Sequence, residues 1–535
     1  MASGIGRIFL RKSVAQIQSE HEQGELKRSL GAINLVLLGI GCIIGTGIFV
    51  LTGRASAQFA GPGIMIAFII TGTLCAFVAL CYAELASALP VSGSAYSYTY
   101  ASMGEGAAWV MGLLLVLEYG LAASTVAVGW SGYFVSLMRD FGVAIPVAFQ
   151  AAPGVEVKDA AGVVVGTGVM NLPAFIVIGL VTLLLVRGVT ESATVNNIIV
   201  AIKLAVVIAF IVIGFNYVDP ANWSPLIPAE IPVRPEGTDN GILAQIGRAL
   251  GETVTGDSSY KYGIGGVIHA AAIIFFAYLG FEAVSTAGAE SRNPGKDMPI
   301  GILGALTICT ILYILTCAVL VGIVPYAELD VPAPIALAAD RMGLPWFAFL
   351  VKVGAIAGLS SVMLVLLYGQ TRVFYTMSRD GLLPAALSKV HPKFLTPWVN
   401  TIVVGIAAMF AAGFLSLDAL SDLTNVGSLS AFALVCLTVM YLRRSDPGLV
   451  RPFRTPLFPV VPILGALMCL FLLMSLMATE STRNFFLIYL VVGISLYFVY
   501  GIRNSKLGRG VVVEGGEGLP RELPHKIDEP PQGQG

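Results

Sequence analysis

Charge is scarce in this chain. Asp, Glu, Lys and Arg make up 12% of its 535 residues, with a net charge of -1 divided among short polar stretches, so no basic surface for nucleic acid is expected. Histidine is scarcer still: His21, His269, His391 and His525 lie far apart. No His-Glu-x-x-His or Gly-x-Ser-x-Gly stretch accompanies them, which argues against a membrane enzyme and leaves no cofactor or metal to expect. The cysteines are odd in number, and Cys42, Cys75, Cys81, Cys309, Cys317, Cys436 and Cys469 all sit in apolar segments, so a disulfide framework is not indicated. Residues 1–32 lack an apolar run followed by a small-residue cleavage site, and no cleavable signal peptide is expected.

Apolar sequence is what remains: 56% of the residues are hydrophobic and the mean hydropathy is +0.84. Those values place the chain among polytopic membrane proteins. A window of about 20 residues predicts an all-α protein with twelve spans, near 33–53, 63–88, 108–137, 172–187, 193–215, 267–290, 300–324, 346–376, 397–416, 423–443, 457–478 and 482–502. With the N-terminus inside, cytoplasmic segments hold 20 Lys and Arg and outer loops 8, so both ends are read as cytoplasmic and the protein as integral to the plasma (inner) membrane. Residues 7–17 read either as an amphipathic helix on the inner leaflet or as a solvated leader. Two outer connections are long. Residues 139–171 contain an alternating stretch around a glycine turn that reads as a small hairpin, and 216–266 form an extracytoplasmic loop. The tail at 503–535 is polar, proline-rich and expected to be disordered.

The first span carries GIGCIIGTGIF, with Gly39, Gly41, Gly45 and Gly47 in mid-membrane, although glycine weakens a helix. A phosphate-binding fingerprint does not fit, because the third glycine comes one residue late. Gly41 and Gly45 form a Gly-x-x-x-Gly pair suited to close helix packing, which leaves Thr46 and Gly47 unexplained. The sixth span, IIFFAYLGFEAVSTAGAE, places Gly280 and Glu282 at its middle, where a lipid-facing helix would avoid a carboxylate. Interrupted segments at corresponding places in two five-helix halves point to an inverted-repeat transporter with its site at the midplane. The halves are 33–215 and 267–443, with two further helices over 457–502.

GIGCIIGTGIF, ELASALPVSGSAYSYTYASMGE, VNNIIVAIKLAVV, FFAYLGFEAVST and GQTRVFYTMSRDGLLP together resemble the amino acid, polyamine and organocation transporter superfamily, specifically the bacterial relatives of its cationic amino acid transporters. The likeness runs from about Lys27 to Asn504. It implies a five-plus-five inverted repeat with spans one and six unwound around the substrate, two extra helices, and alternating-access import of an L-amino acid. It also implies that the amides of Gly45, Thr46 and Gly47 take the substrate carboxylate at a helix start. Carbonyls at Ile43, Phe276 and Leu279 would accept the ammonium, with Ile44 in the same unwound turn. Phe276 is then an aromatic gate, or else a core aromatic. Ala122, Ala123 and Ala277 would shape a small apolar side-chain pocket, favouring small neutral substrates such as alanine. Glu118 matches a glutamate typical of the cationic relatives and reads either as a specificity residue or as a structural tie, as does Glu282.

Lys203 lies about 15 Å into its span by helix rise, too deep to reach water, whereas Lys352 is near an outer end and can snorkel. In the resembled family a lysine at this place stands where sodium-coupled relatives hold their cation. Gly41 or Ile44, Ser360 and Ser361 would be its neighbours. Lys203 thus reads either as a proton-coupling group or as a fixed bridge. The expected partners are the amino acid substrate, a proton and the lipid bilayer. A cationic amino acid or polyamine exchanger without proton coupling is the nearer alternative, and no small membrane-protein partner can be named.

Overall fold

The computed structural model describes residues 6–13, 30–91, 93–158, 164–188, 193–232 and 260–510. Helix α1, Ala32–Ile43, stops where Ile44 turns to φ -72° and ψ 93°. Helix resumes at Gly47 and runs to Ala88 through π turns over Gly47–Leu51 and Ser56–Ala60 and a 3-10 turn at Gly61–Gly63, ending in α2, Ile64–Ala88. Next come α3, Ser94–Ser102, and α4, Glu105–Asp140, which contains a π turn at Val116–Leu121. Helices α5, Leu172–Val186, α6, Ala193–Gly214, and α7, Gly263–Ile274, follow. The remainder is α8 Pro294–Ile323, α9 Pro334–Arg341, α10 Pro345–Arg379, α11 Trp398–Phe414, α12 Leu417–Ser445, α13 Val460–Met477 and α14 Glu480–Leu496.

Local chemistry sets several of these boundaries. Pro294 and Pro345 open α8 and α10, where a missing N–H costs nothing. Asn171 and Ser416 cap α5 and α12 by accepting the amides of Ala174 and Ala419, each at 3.2 Å. Among the described residues, nine helical stretches are long and apolar enough to cross a membrane, and three shorter apolar helices, α1, α5 and α11, stand where the first, fourth and ninth spans are predicted. The break after Ile43 is why α1 is short.

Helix α2 packs on α8, α4 on α10 and α5 on α11, while α8 also covers α1 and α13 packs on α12. Large apolar side chains such as Leu183, Val212, Ile311, Phe410, Phe471 and Val491 remain exposed on the outer helix faces, as a lipid-facing surface requires. The loop hairpin is present: Glu156–Lys158 pairs antiparallel with Val164–Thr167. In the second long loop Ile231–Pro232 pairs with Tyr260–Lys261, and 233–259 lie outside the described residues.

Both chain ends differ from the sequence reading. Residues 6–13 form neither a surface helix nor a solvated leader: one 3-10 turn, Gly6–Phe9, leads into a segment docked on the bundle. There the Leu10 carbonyl accepts the Glu105 amide at 2.9 Å, and Lys12, 5% exposed, pairs with Asp380 at 2.6 Å. Residues 14–17 lie outside the described residues. At the other end, residues 503–510 are folded back rather than loose. Ser505 donates to Glu105, and the Lys506 amide reaches the Asp380 carbonyl at 3.0 Å. Both ends therefore meet on one face, because Glu105 and Asp380 are buried acceptors that need donors.

Candidate functional site

The two helix breaks meet. After α7 the chain makes a 3-10 turn, Phe275–Tyr278, leaves helix at Leu279 with ψ 133°, and resumes as 3-10 turns over Glu282–Glu290. Gly280 between them has φ +121°, and a Cβ placed on it would stand 2.7 Å from the Cys42 carbonyl carbon and 2.9 Å from the Ile43 nitrogen. On the other break, a Cβ on Gly47 would overlap the backbone of Ala277. Each interrupted span thus offers a glycine to the other's backbone, which is why bare backbone from both comes together at one place.

Unwinding frees carbonyls, and the structure shows where they go. Ile40 still receives the Ile44 amide at 3.0 Å. Gly41 accepts from the Lys203 ammonium at 2.8 Å, and Ile43 accepts from the Tyr313 hydroxyl at 2.7 Å. On the α7 side Asn425 donates to Ala272 and Ile273 at 3.1 and 2.9 Å, and the Leu279 amide donates to Phe276 at 3.3 Å. Gly45, Thr46 and Gly47 head the resumed helix, whose first amides have no carbonyl one turn earlier to bond. A Cβ on Gly45 would sit at an ordinary 3.6 Å from Val362. The Thr46 hydroxyl is fully buried without a hydrogen-bond partner. Phe276, Ala277 and Leu279 are buried in and after the facing turn, and Ala122 and Ala123 are buried just past the π turn of α4, two helical turns before Gly129, where an added Cβ would meet Thr46.

Lys203 is fully buried, its stem laid against Gly358 of α10. Of its expected neighbours the structure joins Gly41 to it. Ser360 faces elsewhere: it accepts the Trp130 indole N–H at 3.0 Å and donates to Ile356 at 2.8 Å. Ser361 is buried on α10, one turn beyond Gly358, with its hydroxyl unpartnered. Lys352 does not snorkel alone; it pairs with Asp140 at 2.7 Å. Glu282 turns back to accept the Gly280 amide at 3.0 and 2.8 Å. Glu118, in the π turn, is buried and finds no hydrogen-bond donor on either oxygen.

The sequence profile of amino acid permeases matches residues 30–497. This chain belongs to the amino acid permease family. It is 44% identical to the branched-chain amino acid permease BcaP of Bacillus subtilis (strain 168), over 94% of this chain and 100% of the relative. It is also 44% identical to the methylthioribose transporter of the same organism, over 94% and 99%. A vacuolar cationic amino acid transporter 4 of Arabidopsis thaliana is 34% identical, over 82% of this chain and 67% of that one.

The permease also has a vestibule that sequence reasoning missed. A cavity of about 630 Å³ is lined by Val50, Val128, Gly129 and Gly132, together with residues of the 139–171 loop. Val50 is one helical turn past Thr46, so the cavity floor lies next to the unwound turn. Arg54, one turn further, pairs with Asp330 at 3.2 Å and Asp418 at 2.9 Å, tying the resumed helix to the loop before α9 and to the start of α12. Arg54 was legible as a lone charge at the end of an apolar span; its partners, hundreds of residues away, were not. Above it Asp340 of α9 is raised from the usual carboxylate range by burial, an effect that Lys352 opposes.

Proposed function

We propose that this permease is a secondary active transporter that imports neutral L-amino acids by alternating access, coupled to protons through Lys203. The observation that carries the reading is the meeting of the two glycine breaks, with Lys203 bonded to a carbonyl that the first break frees. Backbone released in mid-membrane is tolerated where it lines a cavity or holds a ligand. The start of the resumed helix at Gly45 suits a carboxylate, since its amides and dipole end favour negative charge. Ala122, Ala123 and Ala277 have small apolar side chains of the kind a pocket for an apolar substrate side chain needs, in keeping with relatives named for branched-chain amino acids. Pairing of α2 with α8, α4 with α10 and α5 with α11 supports a five-plus-five inverted repeat completed by α13 and α14, and twelve spans in all.

In this reading protonated Lys203 bridges α6 to the end of α1 and steadies one conformation, and deprotonation releases the bridge. Both chain ends are assigned to the cytoplasm, on the charge bias of the loops. Glu118, with no donor on its oxygens, favours a second reading in which a cationic amino acid or polyamine is exchanged. A thermal-shift screen of purified protein against amino acids, polyamines and methylthioribose separates these, because a ligand bound by the folded state raises its stability. Alanine and the branched-chain amino acids should stabilise more than arginine. Arginine or polyamines ranking first would favour the second reading. Stabilisation by methylthioribose alone, which has no carboxylate, would defeat the carboxylate assignment.

A further inference from the structure

A groove of about 770 Å³ runs along the outer side of α8, far from the two breaks. On α8 it follows one helical face from Lys296 past Pro299, Ile300 and Gly304 to Ile308, and Pro452 and Phe453, from the connection between α12 and α13, form its other wall. The walls meet at Gly295, where a Cβ would stand 2.8 Å from Pro452. A Cβ on Gly304 would come 3.1 Å from Val36, so α1 lies directly beside the groove. The lining is apolar along most of its length. Ile300 and Ile308 are 43% and 40% exposed, and the hydroxyl of Thr307 is turned back to the Leu303 carbonyl at 2.8 Å. From Lys296 to Ile308 the helix rises about 18 Å, roughly the depth of one leaflet of a hydrocarbon core about 30 Å thick.

The end where α8 begins carries charge instead. Lys296 lines it, Arg292 stands four residues earlier and Arg454 follows Phe453, and all three side chains are exposed. None has an ion pair among the described residues, whereas the neighbouring Arg443 and Arg451 are taken up by Glu84 at 2.6 and 3.4 Å. The acid beside Lys296, Asp297, accepts the Asn293 amide at 3.0 Å. Exposed cations are ordinarily content with water. These three gather at one end of an apolar channel one leaflet deep, and basic groups at the edge of a hydrocarbon core attract anionic headgroups. We infer that the groove is a binding site for an anionic phospholipid, its phosphate held by Lys296 and Arg454 and one acyl chain laid along α8 from Ile300 to Ile308. The bound lipid joins α8 to the α12–α13 connection beside the broken first span, and the site stands whatever the permease carries.

Thermal unfolding of the purified, delipidated full-length protein in a neutral detergent tests the site, with phosphatidylglycerol or phosphatidylcholine of the same acyl chains titrated in. Phosphatidylglycerol should raise the melting temperature saturably and at lower concentration than phosphatidylcholine, because a ligand bound by the folded state stabilises it. Lys296→Gln should weaken the apparent affinity for phosphatidylglycerol about fivefold, the worth of one cation near an anionic headgroup. Thr307→Phe, which plugs the groove and keeps its cations, should abolish the saturable rise. Glycerol phosphate, a headgroup without acyl chains, should not reproduce it. Lys389→Gln, at an exposed cation in the connection between α10 and α11, should leave it unchanged. Equal stabilisation by the two lipids, or a full phosphatidylglycerol effect in both Lys296→Gln and Thr307→Phe, would overturn the proposal. So would a loss in Lys389→Gln as large as that in Lys296→Gln, which would mean diffuse attraction to the surface, or a rise with glycerol phosphate equal to that with the lipid.

Discussion

Three glycines of the two breaks should respond differently to the same added methyl group. At Gly280 alanine meets two obstacles. A φ of +121° is a backbone region that side chains disfavour by about 1–3 kcal/mol, and the new Cβ would press on Cys42 and Ile43 at 2.7 and 2.9 Å. Overpacking of that kind adds about 1–3 kcal/mol, so Gly280→Ala should lose roughly 2–6 kcal/mol in all. Gly47→Ala drives a methyl into the Ala277 backbone and should also destabilise the fold, so a bulky residue at Gly47 does not isolate ligand approach. Gly45 is different, because its Cβ would find Val362 at 3.6 Å, an ordinary contact. There the cost of alanine should stay below about 1 kcal/mol, as the unfolded chain also loses freedom. Thermal unfolding with and without substrate reads both effects. Saturating ligand at a hundred times its Kd stabilises by about 2.7 kcal/mol. Gly45→Ala should melt like wild type without ligand and lose most of that increment, since the proposed carboxylate site requires close approach to the Gly45 backbone. A Gly45→Ala protein with the full ligand increment would refute the carboxylate site, and a Gly280→Ala protein as stable as wild type would refute the contact between breaks.

Other outcomes follow from single interactions. Lys12→Ala leaves the buried Asp380 with the Tyr96 hydroxyl at 2.8 Å but without its cation, and unfolding should show a loss of about 3–5 kcal/mol. Truncation after Gly510 should leave the melting temperature unchanged, while truncation after Asn504 removes the Ser505 donor to Glu105 and should lower it. Arg54→Gln breaks the ties to Asp330 and Asp418, and should speed labelling of a cysteine placed at Val50 by a membrane-impermeant maleimide. Unchanged labelling would mean that Arg54 does not hold the vestibule closed.

The breaks were legible because glycine and a carboxylate in mid-membrane violate the rules for a lipid-facing helix, and violations stand out along a single chain. Lys203 was visible for the same reason, and its bond to Gly41 agrees with what the family resemblance implied. Side-chain direction was not legible. Ser360 and Ser361 were adjacent candidates, yet on α10 neighbouring residues point about 100° apart, and Ser360 turns to Trp130. Long-range partners were equally hidden: Lys12 with Asp380 and Lys352 with Asp140 are joined by helix packing that no local periodicity encodes. The docked residues 503–510 were misread because a polar, proline-rich composition dominates the tail, while the contacts that hold its first turns come from Glu105 and Asp380.

Uptake into proteoliposomes under an imposed pH gradient, acidic outside, tests the coupling most directly. Purified wild type should accumulate a labelled branched-chain amino acid without sodium and only while the gradient lasts, and Lys203→Ala should lose that accumulation while keeping binding. Uptake that ignores the gradient, uptake that requires sodium, or an alanine variant that still accumulates substrate would contradict proton coupling through Lys203.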